Sequence, residues 1–252
     1  SSIMPDQYPL IYIEPNCIEI DTVFDNPVKP LMLYHDFVPK MKHENFFDEK
    51  FSIIVSPPGL GKSRFLLELV RKSFDLHIPA YYVNLKFIGP HSIKDFINSN
   101  FASSLSTTYE TSADLNLIKR FYSSKTDLNP NGLFCFDSLD EVKTDQYEVI
   151  QKLLDFRSKF PESKIILTCR DYIFAKHNHS FNQVEHKLFR LNPLSGSDIR
   201  NYLEKFQVEQ NIIDRIFVKF SSQYSTQLIN IPRFLEVLCK QIVKSETPEA
   251  IL

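Results

Sequence analysis

One sequence feature restricts most strongly how this chain can fold. It is a short apolar run that leads into a glycine-containing loop and then into an amphipathic stretch. Residues 51–55 have the pattern of a buried strand, and residues 63–74 that of a helix. One face of that helix carries the apolar side chains Phe65, Leu66, Leu69 and Val70. The loop between strand and helix holds two of only 5 glycines in 252 residues. Glycines so scarce, placed one residue apart, indicate a backbone with a specific need for them.

The alternation of strand and helix patterns continues through residue 190. Strands are predicted at 80–85, 133–136, 164–168 and 187–190, and helices at about 92–104, 113–124 and 146–158. Such alternation is typical of βαβ units around a parallel sheet. We therefore predict an α/β fold, a three-layer sandwich with a parallel sheet.

Only helical patterns follow residue 191. Helices are predicted from Ser195, across about 209–221, and from Pro232 to about 243, where proline suits a first helical position. This region is predicted to be a small all-helical subdomain. The predicted organisation is a lead-in or linker at 1–45, a sheet-containing domain at 46–190, and a helical lid subdomain at 191–252.

The glycine-containing loop has the composition of a phosphate-binding P-loop. Glycines let backbone N–H groups face a phosphate, and the following helix N-terminus favours negative charge. Lys62 is expected to reach the β- and γ-phosphates, and Ser63 to ligate Mg²⁺. The strict pattern has glycine where this chain has Ser56. The alternative is a glycine turn followed by Lys-Ser by chance. The predicted nucleotide-binding residues are Ser56, Pro57, Pro58, Gly59, Leu60, Gly61, Lys62, Ser63 and Arg64.

An acidic cluster follows the predicted strand at 133–136. Asp137 ends that run, and carboxyl ends of strands border the ligand clefts of open α/β sheets. Asp137 is expected to hold Mg²⁺ through its hydration shell, while Asp140 or Glu141 orients and deprotonates an attacking water. Taken alone, the cluster also suits a solvated turn or a helix start.

Arg170 follows the predicted strand at 164–168. A guanidinium at this point is expected to sense a γ-phosphate, since its planar fork matches phosphate oxygens. The alternative is a surface arginine paired with Asp171. His177 and His179 are interpreted as loop residues, because no third metal ligand lies near them in sequence.

Composition excludes several classes of protein. The formal net charge is -2, and the 29 Lys and Arg residues are scattered, so nucleic acid is not indicated as a partner. No apolar run reaches the 18 or so residues of a membrane helix, and we expect a cytoplasmic protein. The four cysteines lie far apart without a CxxC pair, which indicates reduced, buried thiols.

The three motifs together resemble the NACHT group of STAND-type P-loop NTPases, signalling ATPases of bacterial antiviral defence and animal innate immunity. The similarity covers about residues 46–245. Its most specific part is Asp137-Ser138-Leu139-Asp140-Glu141, with a small residue after the aspartate and an acidic pair two positions later. The strand end at Thr168-Cys169-Arg170 and the segment around Asn230-Ile231-Pro232 also look like NACHT motifs.

The resemblance implies a P-loop nucleotide-binding domain at 46–190, ATP or ADP with Mg²⁺, and slow ATP hydrolysis. It further implies that nucleotide state controls homo-oligomerisation, with effector and sensor domains on the same longer chain or on a partner. Pro232 would then line the adenine; the alternative is a simple helix-initiating proline. The absence of a following winged-helix domain suggests a fragment. Two other functions stay open: an AAA+ ATPase acting on DNA or protein, and a non-hydrolysing nucleotide-bound scaffold.

Overall fold

A six-stranded sheet forms the centre of the larger part of the molecule. The computed structural model describes residues 13, 17–20, 43–98, 131–220 and 228–244. The strands are β1 Cys17–Ile20, β2 Phe51–Val55, β3 Ala80–Asn84, β4 Leu133–Asp137, β5 Lys164–Cys169 and β6 Lys187–Leu191. The four strands predicted after residue 80, and the one at 51–55, are confirmed within one or two residues at each end.

Six longer helices and three short 3₁₀ turns accompany the strands in the described residues. The helices are α1 Lys62–Asp75, α2 Gln146–Lys159, α3 Asp171–Phe181, α4 Gly196–Lys205, α5 Gln210–Lys219 and α6 Pro232–Lys244. The 3₁₀ turns are His43–Phe47, Leu85–Phe87 and Leu139–Glu141. Residues 93–98 are also helical, whereas the rest of the helix predicted at 92–104, and that at 113–124, lie outside the described residues.

The order of strands in the sheet is β1-β6-β2-β5-β4-β3. All neighbouring strands from β6 to β3 run parallel, whereas β1 pairs antiparallel with β6. The sheet is therefore mixed and mostly parallel, and residues 17–20, which the sequence placed in a lead-in, form its edge strand. Because β5 lies between β2 and β4, the carboxyl ends of these three strands are adjacent at one edge.

Helices cover both faces of the sheet. Ile53 and Val55 belong to one apolar core together with side chains of α2 and α3. Ile54, which points to the opposite face, belongs to a second core together with Phe65 and Leu69 of α1. This alternation follows from the two-residue period of a strand. The predicted three-layer α/β sandwich is confirmed.

The helix α3 corrects one interpretation from the sequence. His177 and His179 were assigned to a loop, but both lie within α3. The signal was present, since Ile173, Phe174, His177 and Phe181 recur at helical spacing and are buried. No group of three or more His, Cys, Asp or Glu side chains that could hold a metal ion occurs among the described residues.

The helices α4, α5 and α6 form a separate apolar core. It includes Ile199 and Leu203 of α4, Ile213 and Ile216 of α5, and Leu235 of α6. The predicted helix start at Ser195 is confirmed, because the Ser195 hydroxyl accepts from the Asp198 amide while the Asp198 carboxylate accepts from the Ser195 amide.

The described residues divide into two compact units. The larger holds those within 17–57 and 62–191, and the smaller holds Ile13 and those within 58–61 and 192–252. The division into 1–45, 46–190 and 191–252 stays a prediction. All four cysteines are free and buried.

Candidate nucleotide-binding site

The loop after β2 requires glycine at two positions. Gly59 has a φ of 84° and Gly61 a φ of 90°, values that side chains with a Cβ rarely adopt. Leu60 between them is 3% exposed, so it anchors the loop, while Pro57 and Pro58 are exposed. In a chain that contains few glycines, the two in this loop therefore have a conformational reason.

The ammonium group of Lys62 folds back over this loop. Its Nζ lies 2.9 Å from the Ser56 carbonyl oxygen, 3.2 Å from Ser56 Oγ and 3.2 Å from the Pro57 carbonyl oxygen. Burial lowers the pKa of Lys62, and the negative charge of Asp140 opposes that shift. The Lys62 ammonium can exchange these neutral oxygen partners for an anionic ligand, because hydrogen bonds to a charged acceptor are stronger.

Ser56, which stands where the strict motif has glycine, takes part in this arrangement. Its side chain is fully buried, and its hydroxyl donates to the Pro57 carbonyl while it accepts from Lys62. Its backbone N–H donates to the Cys169 carbonyl at 3.4 Å, which joins the ends of β2 and β5. The serine hydroxyl thus contacts the lysine, which a glycine at this position cannot do.

The residues after Lys62 begin α1. Ser63, the second residue of α1, is exposed. The Arg64 guanidinium forms an ion pair with Glu68 at 2.8 Å, and Glu68 also pairs with Arg71 at 2.8 Å. Arg64 therefore supports the first turns of α1.

Asp137 is held by two hydroxyl groups. It ends β4 and is 2% exposed. The Tyr82 phenol donates to Asp137 Oδ2 at 2.6 Å, and Thr168 Oγ1 donates to Asp137 Oδ1 at 2.5 Å. Burial first, and then the charge of Asp137, raises the pKa of Tyr82, so the phenol stays protonated and acts as a donor. Ser138 follows in the left-handed conformation with φ 61°, and its amide donates to Thr168 Oγ1 at 3.3 Å.

The two acidic residues after Ser138 have different environments. Asp140 Oδ2 lies 2.7 Å from Arg170 Nε, and the Asp140 side chain is only 5% exposed. Glu141 is 43% exposed, and its Oε2 lies 2.9 Å from Lys86 Nζ. The ion pair of Asp140 and Arg170 joins the second and third sequence motifs.

The structure does not support the alternative in which Arg170 pairs with Asp171. Asp171, in the first turn of α3, pairs instead with Arg190 of β6. Arg170 precedes α3 and its side chain is 37% exposed. It therefore contacts a buried carboxylate while its own side chain is partly exposed to solvent.

These residues fit a nucleotide with a divalent cation. The space where a Cβ on Gly61 would lie is open, and Lys62 supplies a positive charge. The Ser63 hydroxyl and the Asp137 carboxylate are oxygen donors of the kind that Mg²⁺ prefers. The chemistry of the donor set thus agrees with the predicted ligands.

Pro232 and part of the loop lie in the smaller unit. Pro232 is the first residue of α6, as predicted from its suitability there. Within this unit, a Cβ built on Gly59 would lie 2.9 Å from Cγ2 of Ile231. The segment before α6 therefore packs against the glycine of the loop, and the role of Pro232 toward an adenine stays a prediction.

The sequence alone did not identify Tyr82 and Lys86 as site residues. Tyr82 was assigned only to a strand, because a tyrosine in a strand is usual and the residue it contacts is 55 positions away. Lys86 is likewise 55 positions away in sequence from Glu141, the residue that it contacts. The only available signal was that β3 and β4 would be neighbours in the sheet.

Comparison with known proteins identifies a family. A family model described as "NACHT domain" matches residues 50–210. No curated protein matches the chain. No helix in the described part of the chain is long and apolar enough to cross a membrane.

Several solved structures are similar to this chain at low sequence identity. A Drosophila ORC structure bound to DNA has a TM-score of 0.52 and 12% identity, covering 80% of this chain and 57% of that one. DnaA from Aquifex aeolicus with bound AMPPCP has a TM-score of 0.45 and 14% identity, covering 81% and 60%. RuvB from Thermotoga maritima has a TM-score of 0.47 and 11% identity, covering 80% and 56%. The chain thus spans less than two thirds of each of these proteins.

Proposed function

The chain belongs to the NACHT family of P-loop NTPases, and from this premise we propose that it is a Mg²⁺-dependent ATPase core of STAND type. It binds ATP, hydrolyses it slowly, and changes its oligomeric state with the nucleotide. One observation carries the proposal. Lys62, Asp137 and the ion pair of Asp140 with Arg170 converge at the carboxyl ends of β2, β4 and β5.

Each of these groups has a task in phosphoryl transfer. Lys62 and the loop amides bind the β- and γ-phosphates, and Ser63 and Asp137 hold the cation. Mg²⁺, when bound, neutralises negative charge on the phosphate oxygens. Arg170 binds oxygens of the γ-phosphate, and Asp140 orients the attacking water and accepts its proton as the terminal phosphoanhydride bond breaks.

The ion pair explains why slow hydrolysis is expected. While Asp140 and Arg170 pair at 2.7 Å, the carboxylate and the guanidinium are engaged with each other rather than with water and phosphate. A γ-phosphate that attracts Arg170 would release Asp140 toward water. The same exchange would make the site sensitive to whether ATP or ADP is bound.

The remaining parts of the proposal rest on the family. Appended effector and sensor domains, on this chain or a partner, would respond to the nucleotide state in defence signalling. Homo-oligomerisation is the proposed output. Two rival functions predict different behaviour: an AAA+ ATPase responds to DNA or protein substrate, and a scaffold holds nucleotide without turnover.

One incubation separates the three functions. The protein is mixed with ATP and Mg²⁺, with and without duplex DNA, and phosphate release and particle mass are measured. We expect slow phosphate release and a larger mass with ATP than with ADP, neither changed by DNA. DNA-stimulated release would favour the AAA+ function, and bound nucleotide without phosphate release would favour the scaffold.

A further inference from the structure

Three polar side chains share one face of the sheet beside the start of α1. Tyr82 on β3 pairs with Cys135 on β4, and Cys135 is two positions before Asp137 on that strand. Phe136 pairs with Leu167, which places Asp137 beside Thr168. Since side chains alternate along a strand, all three point to the α1 face.

The Tyr82 phenol contacts a residue that the sequence assigns to the cation. It donates to Asp137 Oδ2 at 2.6 Å. Thr168 donates to the other oxygen of Asp137 and accepts from the Ser138 amide, so it joins β5 to the end of β4. The Tyr82 phenol joins β3 to the same carboxylate from the other side of β4.

We propose that Tyr82 is a positioning residue for the cation site, because its hydroxyl fixes the orientation of the Asp137 carboxylate. This inference rests on the proposed function. Each carboxylate oxygen accepts more than one hydrogen bond, so the phenol orients Asp137 without using its whole capacity. A carboxylate already held in one orientation loses less freedom when a hydrated cation binds.

The substitution Tyr82→Phe tests the proposal, because it removes the hydroxyl and keeps the ring. Tyr81→Phe is the matched control: it removes a hydroxyl from the next residue of β3, whose ring lies on the opposite face and stacks on Phe134 at 4.7 Å. Binding of a fluorescent ATP analogue is measured first with EDTA and then during a Mg²⁺ titration. Thermal unfolding curves set a temperature at which each variant is folded.

We expect Tyr82→Phe to raise the Mg²⁺ concentration for half-maximal effect about tenfold, as outer-shell changes at metal sites do. Nucleotide affinity in EDTA should change by less than about twofold, because Lys62 and the loop amides are untouched. Tyr81→Phe should leave both values unchanged. A spin-resonance titration with Mn²⁺ provides a second reading of cation affinity.

Several results would overturn the inference. An unchanged or stronger Mg²⁺ response in Tyr82→Phe would mean that the phenol does not position Asp137. An equal loss of affinity in EDTA would show that the hydroxyl acts through the fold. A wild-type chain that binds no nucleotide contradicts the proposed function itself, and the inference falls with it; Mg²⁺-dependent binding unaffected by Tyr82→Phe contradicts the inference alone.

Discussion

Asp140 and Glu141 are neighbours in sequence, yet their side chains meet different surroundings. Asp140 is nearly buried and contacts Arg170, whereas Glu141 is partly exposed and contacts Lys86. The residue pattern left Asp140 and Glu141 as alternatives for activating the water, and the resemblance to the NACHT group favoured Asp140. The 3₁₀ turn at Leu139–Glu141, preceded by the left-handed Ser138, directs the two carboxylates apart.

This difference predicts unequal effects of two isosteric substitutions. Asp140→Asn should lower the rate of phosphate release about 100-fold or more, since general base catalysis contributes at least this factor. Glu141→Gln should lower it by less than about threefold, because a surface ion pair contributes little. Phosphate release and ATP affinity are measured for both. Equal losses, or a greater loss in Glu141→Gln, would remove Asp140 from its proposed role.

Local motifs were readable at the residue scale, and distant partners were not. Gly59, Gly61 and Asp137 have the conformations or positions that their motifs require. The partner of Arg170 was not predictable, because the nearest carboxylate in sequence, Asp171, pairs with Arg190. Such choices depend on the order and register of strands.

Elements with a clear period were predictable, and those whose pattern is mixed were not. The helix α1 and the strand β4 were predicted from uninterrupted apolar spacing. In α3 the helical spacing was present, but the buried face includes the polar residues His177 and Ser180, which weakened the apolar pattern. The edge strand β1 is four residues long and pairs with β6, which lies far away in sequence. Neither its partner nor its direction is encoded locally.

The capping box at the start of α4 gives a prediction at this scale. Ser195→Ala removes the hydroxyl that accepts from the Asp198 amide, so we expect a loss of about 1 kcal/mol in the free energy of unfolding. Asn201→Ala, at an exposed position of the same helix, is the control and should change it by less than about 0.5 kcal/mol. Urea unfolding followed by circular dichroism measures both. Similar values for the two variants would contradict the importance of the cap.

At the scale of the whole molecule, each compact unit has its own apolar core. The larger unit places Lys62, Asp137 and Arg170 at the ends of adjacent parallel strands, a position where ligands bind in open α/β sheets. The class of fold was predictable because parallel strands buried on both faces are nearly continuous apolar runs. Trigger, output and oligomer number have no comparable signature, because they depend on partners rather than on internal periodicity.

The central claim is that Lys62 binds the phosphates of a nucleotide. Calorimetric titration of ATP with Mg²⁺ tests it on the wild-type chain, on Lys62→Ala, and on Lys72→Ala in the last turn of α1 as a charge-matched control. Two lost charge-assisted hydrogen bonds of about 1.5 kcal/mol each correspond to roughly 100-fold weaker binding. We expect that loss in Lys62→Ala and wild-type affinity in Lys72→Ala. Equally tight ATP binding by Lys62→Ala and the wild-type chain would contradict the account.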